Sequence, residues 1–104
     1  MDLRRHTRLP VDFTFLVEDG DGRGSLAHAV DISLGGLRFN NVGFKPEETD
    51  GIAARFNIGR DSFAVGARVV RARELDGFCH EVAVNFREME PETKKALRQA
   101  LHGC

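Results

Sequence analysis

Apolar residues recur at every second position through most of this chain, and that period of two commits it to β-structure. Val11, Phe13, Phe15 and Val17 alternate with Asp12, Thr14, Leu16 and Glu18. Leu26, His28, Val30 and Ile32 then share one face, with Ala27, Ala29 and Asp31 on the other. After a short strand at Leu37 to Phe39, the pattern returns at Ile52, Ala54, Phe56 and Ile58. It continues at Phe63, Val65, Ala67 and Val69, and again at Phe78, His80, Val82, Val84 and Phe86. A helix would need its apolar positions three and four apart to bury one stripe, and none of these runs has that spacing. Turn chemistry separates them: Asp19-Gly20-Asp21-Gly22, Asn40-Asn41 with Gly43, the polar loop 43–51, Gly59-Arg60-Asp61 and Leu75-Asp76-Gly77. Gly66, inside the longest run, marks an expected bulge or close backbone contact. His28, on an apolar face, reads as a histidine at the edge of the core.

From Glu90 the period changes. Pro91 suits the first helical position, Glu90 and Glu92 lie at the positive end, and Lys94, Lys95 and Arg98 follow. Leu97 and Leu101, four apart, share a face with Thr93 and Ala100, and Gly103 is a stop signal. The spacing therefore predicts a helix over 90–102. Six short strands followed by one helix make a mainly β fold, a small six-stranded antiparallel β-barrel with a C-terminal α-helix at its open end. Period alone does not separate a barrel from a sandwich. At 104 residues the chain suits one domain, with residues 1–9 as an N-terminal arginine arm and 10–104 as the barrel domain. With eight Phe and no Trp or Tyr, phenylalanine must supply the large core side chains.

Charge narrows the partners. The formal net charge is −1, whereas a general DNA- or RNA-binding domain is plainly basic. With Lys45, Lys94 and Lys95 its only lysines, twelve of the 15 cationic residues are arginine, the better group for planar, bidentate recognition of phosphates and base edges. No apolar run reaches the ~18 residues of a membrane span, and no signal-peptide core opens the chain, so no membrane insertion is expected. Cys79 and Cys104 are too few for a disulfide framework and fit a reducing cytoplasm. Together with His80 and His102 they form a nominal zinc set. Adjacent residues on a strand point to opposite faces, however, so no metal site is expected. No nucleophile–base spacing, carboxylate pair or phosphate loop is present, and the chain is read as a non-enzyme without a cofactor.

Two stretches remain unexplained by folding needs. Asp31-Ile32-Ser33-Leu34-Gly35-Gly36 ends an apolar run with a carboxylate, a hydroxyl and two glycines, more than a plain turn requires. Arg4-Arg5-His6-Thr7-Arg8 gathers three guanidinium groups into an arm with no apolar period. Read together they spell R-x-x-x-R (Arg4, Arg8) followed by D-x-S-x-x-G (Asp31, Ser33, Gly36). This pair of motifs, in this order and over almost the whole chain, resembles the PilZ domain family of bacterial receptors for the second messenger cyclic di-GMP.

The resemblance implies the barrel-plus-helix fold and a nucleotide ligand. Each guanine of cyclic di-GMP shows O6 and N7 acceptors on one edge, which a guanidinium meets in bidentate fashion. Its other edge carries N1–H and N2–H₂ donors that Asp31 can accept. Arg4, Arg5 and Arg8 would meet guanine edges and phosphates, Ser33 a phosphate or base, and Gly35 and Gly36 would admit close backbone approach. Leu3, unable to stack or pair as an arginine would, favours one ligand per chain. The arm is expected to settle across the barrel only with ligand, since little buried area offsets its ordering cost of ~1–2 kcal/mol per residue. Without an attached output domain the receptor would act on a protein partner in trans. The alternative is an interaction adaptor of the same fold that binds no nucleotide.

Overall fold

The computed structural model describes residues 8–42, 47–87 and 89–102. Six antiparallel strands, β1 (Leu9–Glu18), β2 (Gly24–Ile32), β3 (Gly36–Val42), β4 (Gly51–Ile58), β5 (Asp61–Glu74) and β6 (Cys79–Phe86), precede one helix, α1 (Pro91–His102). The strands close into a barrel in the order β1-β2-β3-β6-β5-β4, with β4 returning to β1. Closure removes the exposed strand edges that an open sheet of this size would present. No helix among the described residues is long and apolar enough to cross a membrane.

The interior follows the period of two. Phe15 and Val17 of β1, Ile52, Ala54, Phe56 and Ile58 of β4, and Phe63, Val65, Ala67 and Val69 of β5 are all buried. Phenylalanines dominate the centre: Phe15 and Phe39 meet edge to face at 5.2 Å, and Phe56 stacks on Phe63 at 5.5 Å. Such pairs add roughly 0.5–1.5 kcal/mol beyond the area they bury. Leu97 and Leu101 of α1 are buried and join this cluster, as their four-residue spacing predicts. The tight β4–β5 hairpin turns on Gly59, whose φ of 61° suits glycine.

Five sequence expectations are corrected. On β2 the inward residues are Ala27, Ala29 and Ile32, while Leu26 is 67% exposed. His28 faces solvent, where its Nε2 lies 2.5 Å from Asp12 Oδ1, and is not a core-edge residue. The cause is a register shift between Ala29 and Asp31 that reverses the alternation. β3 runs to Val42 instead of stopping at Phe39. Asn41 continues inward because the Ser25 hydroxyl donates to its Oδ1 at 2.9 Å. Phe78, assigned to the inner face of β6, sits in the preceding turn and is 80% exposed. Gly66 pairs regularly with Ala53, and the bulge of β5 lies further on, between Val69 and Arg71.

Candidate functional site

Asp31 is the pivot of the site. It is 7% exposed, and a carboxylate so placed needs compensating charge. Two arginines supply it: Arg8 Nη1 donates to Oδ1 at 2.6 Å, and Arg38 Nη2 lies 2.6 Å from Oδ2. Arg8 stands immediately before β1, where Pro10 pairs with Asp31. Arg38 is the direct cross-strand partner of Asp31 on β3. The Nε of Arg38 is buried without a hydrogen-bond partner, so its donor capacity is not exhausted by the carboxylate.

The register carries this arrangement across the barrel wall. Pro10 pairs with Asp31, Asp31 with Arg38, Arg38 with Ala83 and Ala83 with Arg71, one row through β1, β2, β3, β6 and β5. Along the row lies a pocket of about 600 Å³ lined by Arg8, Asp31, Arg38, Val70, Arg71, Glu81 and Ala83. That volume falls within the ~300–1,000 Å³ typical of small-molecule sites. Ala83, small and central, keeps the floor low between flanking arginines. Glu81 is already engaged, with Arg73 Nη2 donating to its Oε1 at 3.0 Å.

The rest of the D-x-S-x-x-G stretch forms the β2–β3 connection beside the pocket. The Ser33 N–H donates to the Gly36 carbonyl at 2.9 Å, and the Gly35 N–H donates to Ser33 Oγ at 3.1 Å. The Gly35 carbonyl in turn accepts from the Phe86 N–H at 2.9 Å. A Cβ at Gly36 would fall 2.2 Å from the Val84 carbonyl oxygen, so what glycine admits there is the neighbouring strand β6.

The structure thus brings Arg8 and Asp31 together and seats Ser33, Gly35 and Gly36 in the adjoining turn. Arg4 and Arg5 lie outside the described residues, as do Leu3 and Cys104. Sequence reasoning missed Arg38, Val70, Arg71, Glu81 and Ala83. Arg38 had a usable signal, since it alternates with inward Leu37 and Phe39 and so must face out beside Asp31. Arg71 had none, because strict alternation from Val69 would turn it inward. Among the described residues no group of three or more His, Cys, Asp or Glu is placed to hold a metal ion.

Comparison with known proteins points one way. The family model of the PilZ domain matches residues 2–103. Among solved structures, the chain is similar to the PilZ domain with c-di-GMP of YcgR from Escherichia coli. The TM-score is 0.75 and the identity 20%, over 96% of this chain and 88% of that one. It is similar to the PilZ domain of CeSA from a cellulose-synthesizing bacterium, at TM-score 0.73 and 16% identity over 93% and 96% of the two chains. The Bacillus subtilis inhibitor of motility MotI/DgrA gives a TM-score of 0.79 at 13% identity, covering 95% of this chain but 49% of that one. At such identities these likenesses establish the fold. No curated protein matches the chain.

Proposed function

This chain belongs to the PilZ domain family, and we propose that it is a receptor for cyclic di-GMP that passes the second-messenger signal to a protein partner. The observation that carries the reading is the buried carboxylate of Asp31, held between Arg8 and Arg38 at the edge of an arginine-lined pocket. Structures of related fold, the YcgR PilZ domain and the Klebsiella MrkH–c-di-GMP complex, are of proteins with that ligand.

The recognition chemistry follows from the residues. Both carboxylate oxygens of Asp31 face a guanidinium. A guanine edge presenting N1–H and N2–H₂ competes for those oxygens. As Arg8 gives up its bond to Oδ1, its fork is released to the O6/N7 edge of a guanine or to a phosphate. Arg38, fixed on β3, keeps the carboxylate oriented. Arg4 and Arg5 add charge from the arm, and one ligand per chain is expected, with Leu3 offering nothing for a second. Binding in this way exchanges internal ion pairs for ligand ion pairs, so the affinity is set by a difference and falls on the order of micromolar. Drawing Arg8 and the arm onto the ligand would alter the barrel surface next to β1, and that altered surface is what a partner in the bacterial cytoplasm would read.

The adaptor reading has one observation in its favour: Asp31 is already satisfied by Arg8 and Arg38 and needs no ligand. Calorimetric titration with cyclic di-GMP separates the two. The receptor reading expects saturable binding at one per chain, and about tenfold weaker binding for Arg8→Ala and for Asp31→Ala, with circular dichroism confirming that each variant is folded. Absence of binding favours the adaptor, whereas binding with unchanged affinity in both folded variants rules out this site.

A further inference from the structure

The arginine that nothing in the binding motifs accounts for is Arg71. Along β5 the buried residues are Phe63, Val65, Ala67 and Val69, and the next in that period would be Arg71. The ladder instead slips between Val69 and Arg71, so that Val70 and Arg71 together answer one residue of β6. Both are exposed, and Ala72 resumes the half-buried position. A bulge adds local twist and re-aims a side chain at the cost of a ladder bond. Here it delivers Arg71 to the outer face, opposite Ala83 and into the pocket.

This bulge is not isolated. Register shifts between Pro10 and Phe13 on β1 and between Ala29 and Asp31 on β2 adjoin the same cross-barrel row. Each irregularity among the described pairings therefore sits beside a residue of the row that carries the site. Within the pocket the other cations are committed. Arg8 and Arg38 face Asp31, and Glu81 is taken by Arg73 from outside it. The side chain of Arg71 makes no ion pair or hydrogen bond among the described residues. Among those residues it is the pocket's unpartnered positive charge.

We propose that Arg71 is a phosphate-binding residue of this site, taking a phosphodiester of the cyclic dinucleotide whose guanine lies against Asp31; this rests on the receptor reading above. Asp31 and Arg71 are three strands apart, roughly 14 Å at ~4.8 Å per strand, a span for a nucleotide and not for a direct hydrogen bond. Val70 and Ala83 beside Arg71 carry no side-chain donors or acceptors for a base edge. A fork of N–H donors with unspent charge matches phosphate oxygens.

Titrations of the wild-type protein, Arg71→Ala and Arg71→Lys with cyclic di-GMP at low and high salt test the assignment. Arg71 is exposed, so both variants should melt with the wild type. Arg71→Ala should weaken binding about tenfold, Arg71→Lys should stay within about threefold because a lysine keeps the charge, and added salt should narrow the gap between wild type and Arg71→Ala. Unchanged affinity in Arg71→Ala overturns the proposal while leaving the receptor reading intact. Arg71→Lys as weak as Arg71→Ala overturns the phosphate assignment. A wild-type protein that does not bind the dinucleotide overturns both the receptor reading and this one.

Discussion

Replacing Gly36 by alanine should damage the barrel before it touches any ligand. The added Cβ would lie 2.2 Å from the Val84 carbonyl oxygen, 3.3 Å from its carbonyl carbon and 3.5 Å from Asn85 Cα. All three are backbone atoms of β6, so no side chain can swing away to make room. Real Cβ contacts essentially never fall under 3.0 Å, and β3 must retreat from β6 by at least the difference, 3.0 − 2.2 = 0.8 Å. The Phe86 N–H to Gly35 carbonyl bond is 2.9 Å. Added to that, 0.8 Å takes it to 3.7 Å, beyond a useful hydrogen bond. Overpacking costs about 1–3 kcal/mol and the lost bond about 1 kcal/mol, together roughly 2–4 kcal/mol. For a domain of this length that is a fall in Tm of roughly 10–30 °C. Thermal and urea unfolding followed by circular dichroism measure it, with the urea midpoint lowered at unchanged slope. Gly77→Ala is the control, since nothing lies within 4 Å of a Cβ there, and it should stay within about 0.5 kcal/mol of the wild type. A Gly36→Ala protein that melts within about 3 °C of the wild type would refute the clash argument.

Three further outcomes are expected. Ser33→Ala leaves the partly buried Gly35 N–H without its acceptor and should cost about 1 kcal/mol in urea unfolding; no loss would mean that water replaces the hydroxyl. Arg38→Ala removes one of the two cations on Asp31; with the guanidinium half exposed to screening water, the loss should be about 1 kcal/mol, and cyclic di-GMP affinity should fall as the carboxylate loses its orientation. In the β5–β6 turn, backbone N–H groups of Phe78 and Cys79 donate to Asp76 and hold its carboxyl below the ordinary aspartate range. That contribution is complete above the unfolded-state value and is lost as pH falls through the folded one, so the stability gap to Asp76→Ala should narrow below pH ~4; a gap independent of pH would refute it.

Where the sequence was legible, a single period governed the strand from end to end. β4 and the first nine residues of β5 are regular, and their inward residues are those the alternation names. β2 was misread because one extra residue before Asp31 exchanges its two faces. Small Ala27 and Ala29 then point inward while larger Leu26 stays out, the reverse of what side-chain size suggests. The same effect hid Arg71. The strand bulges that build the site are invisible to a period-two reading, since they consist of breaking it. Asp31 was found by its motif; alternation put Arg38 on the outer face, but its pairing with Asp31 came only from the register.

That difference changes the weight each motif residue carries in deciding between receptor and adaptor. Gly36 is required by the approach of β6, and Ser33 and Gly35 close their own turn and tie it to Phe86. An adaptor of this fold needs all three, so their presence says little about a ligand. Asp31 is different. A barrel wall gains little from a carboxylate in that position, because desolvating it costs stability unless two arginines are held beside it, and an apolar residue would serve as well. Arg71 stands further still from structural need, exposed and with no side-chain partner among the described residues, at the end of a bulge that costs a ladder bond. The case for a nucleotide therefore rests on the charged row across the barrel wall and not on the glycines and serine by which the motif is most easily recognised.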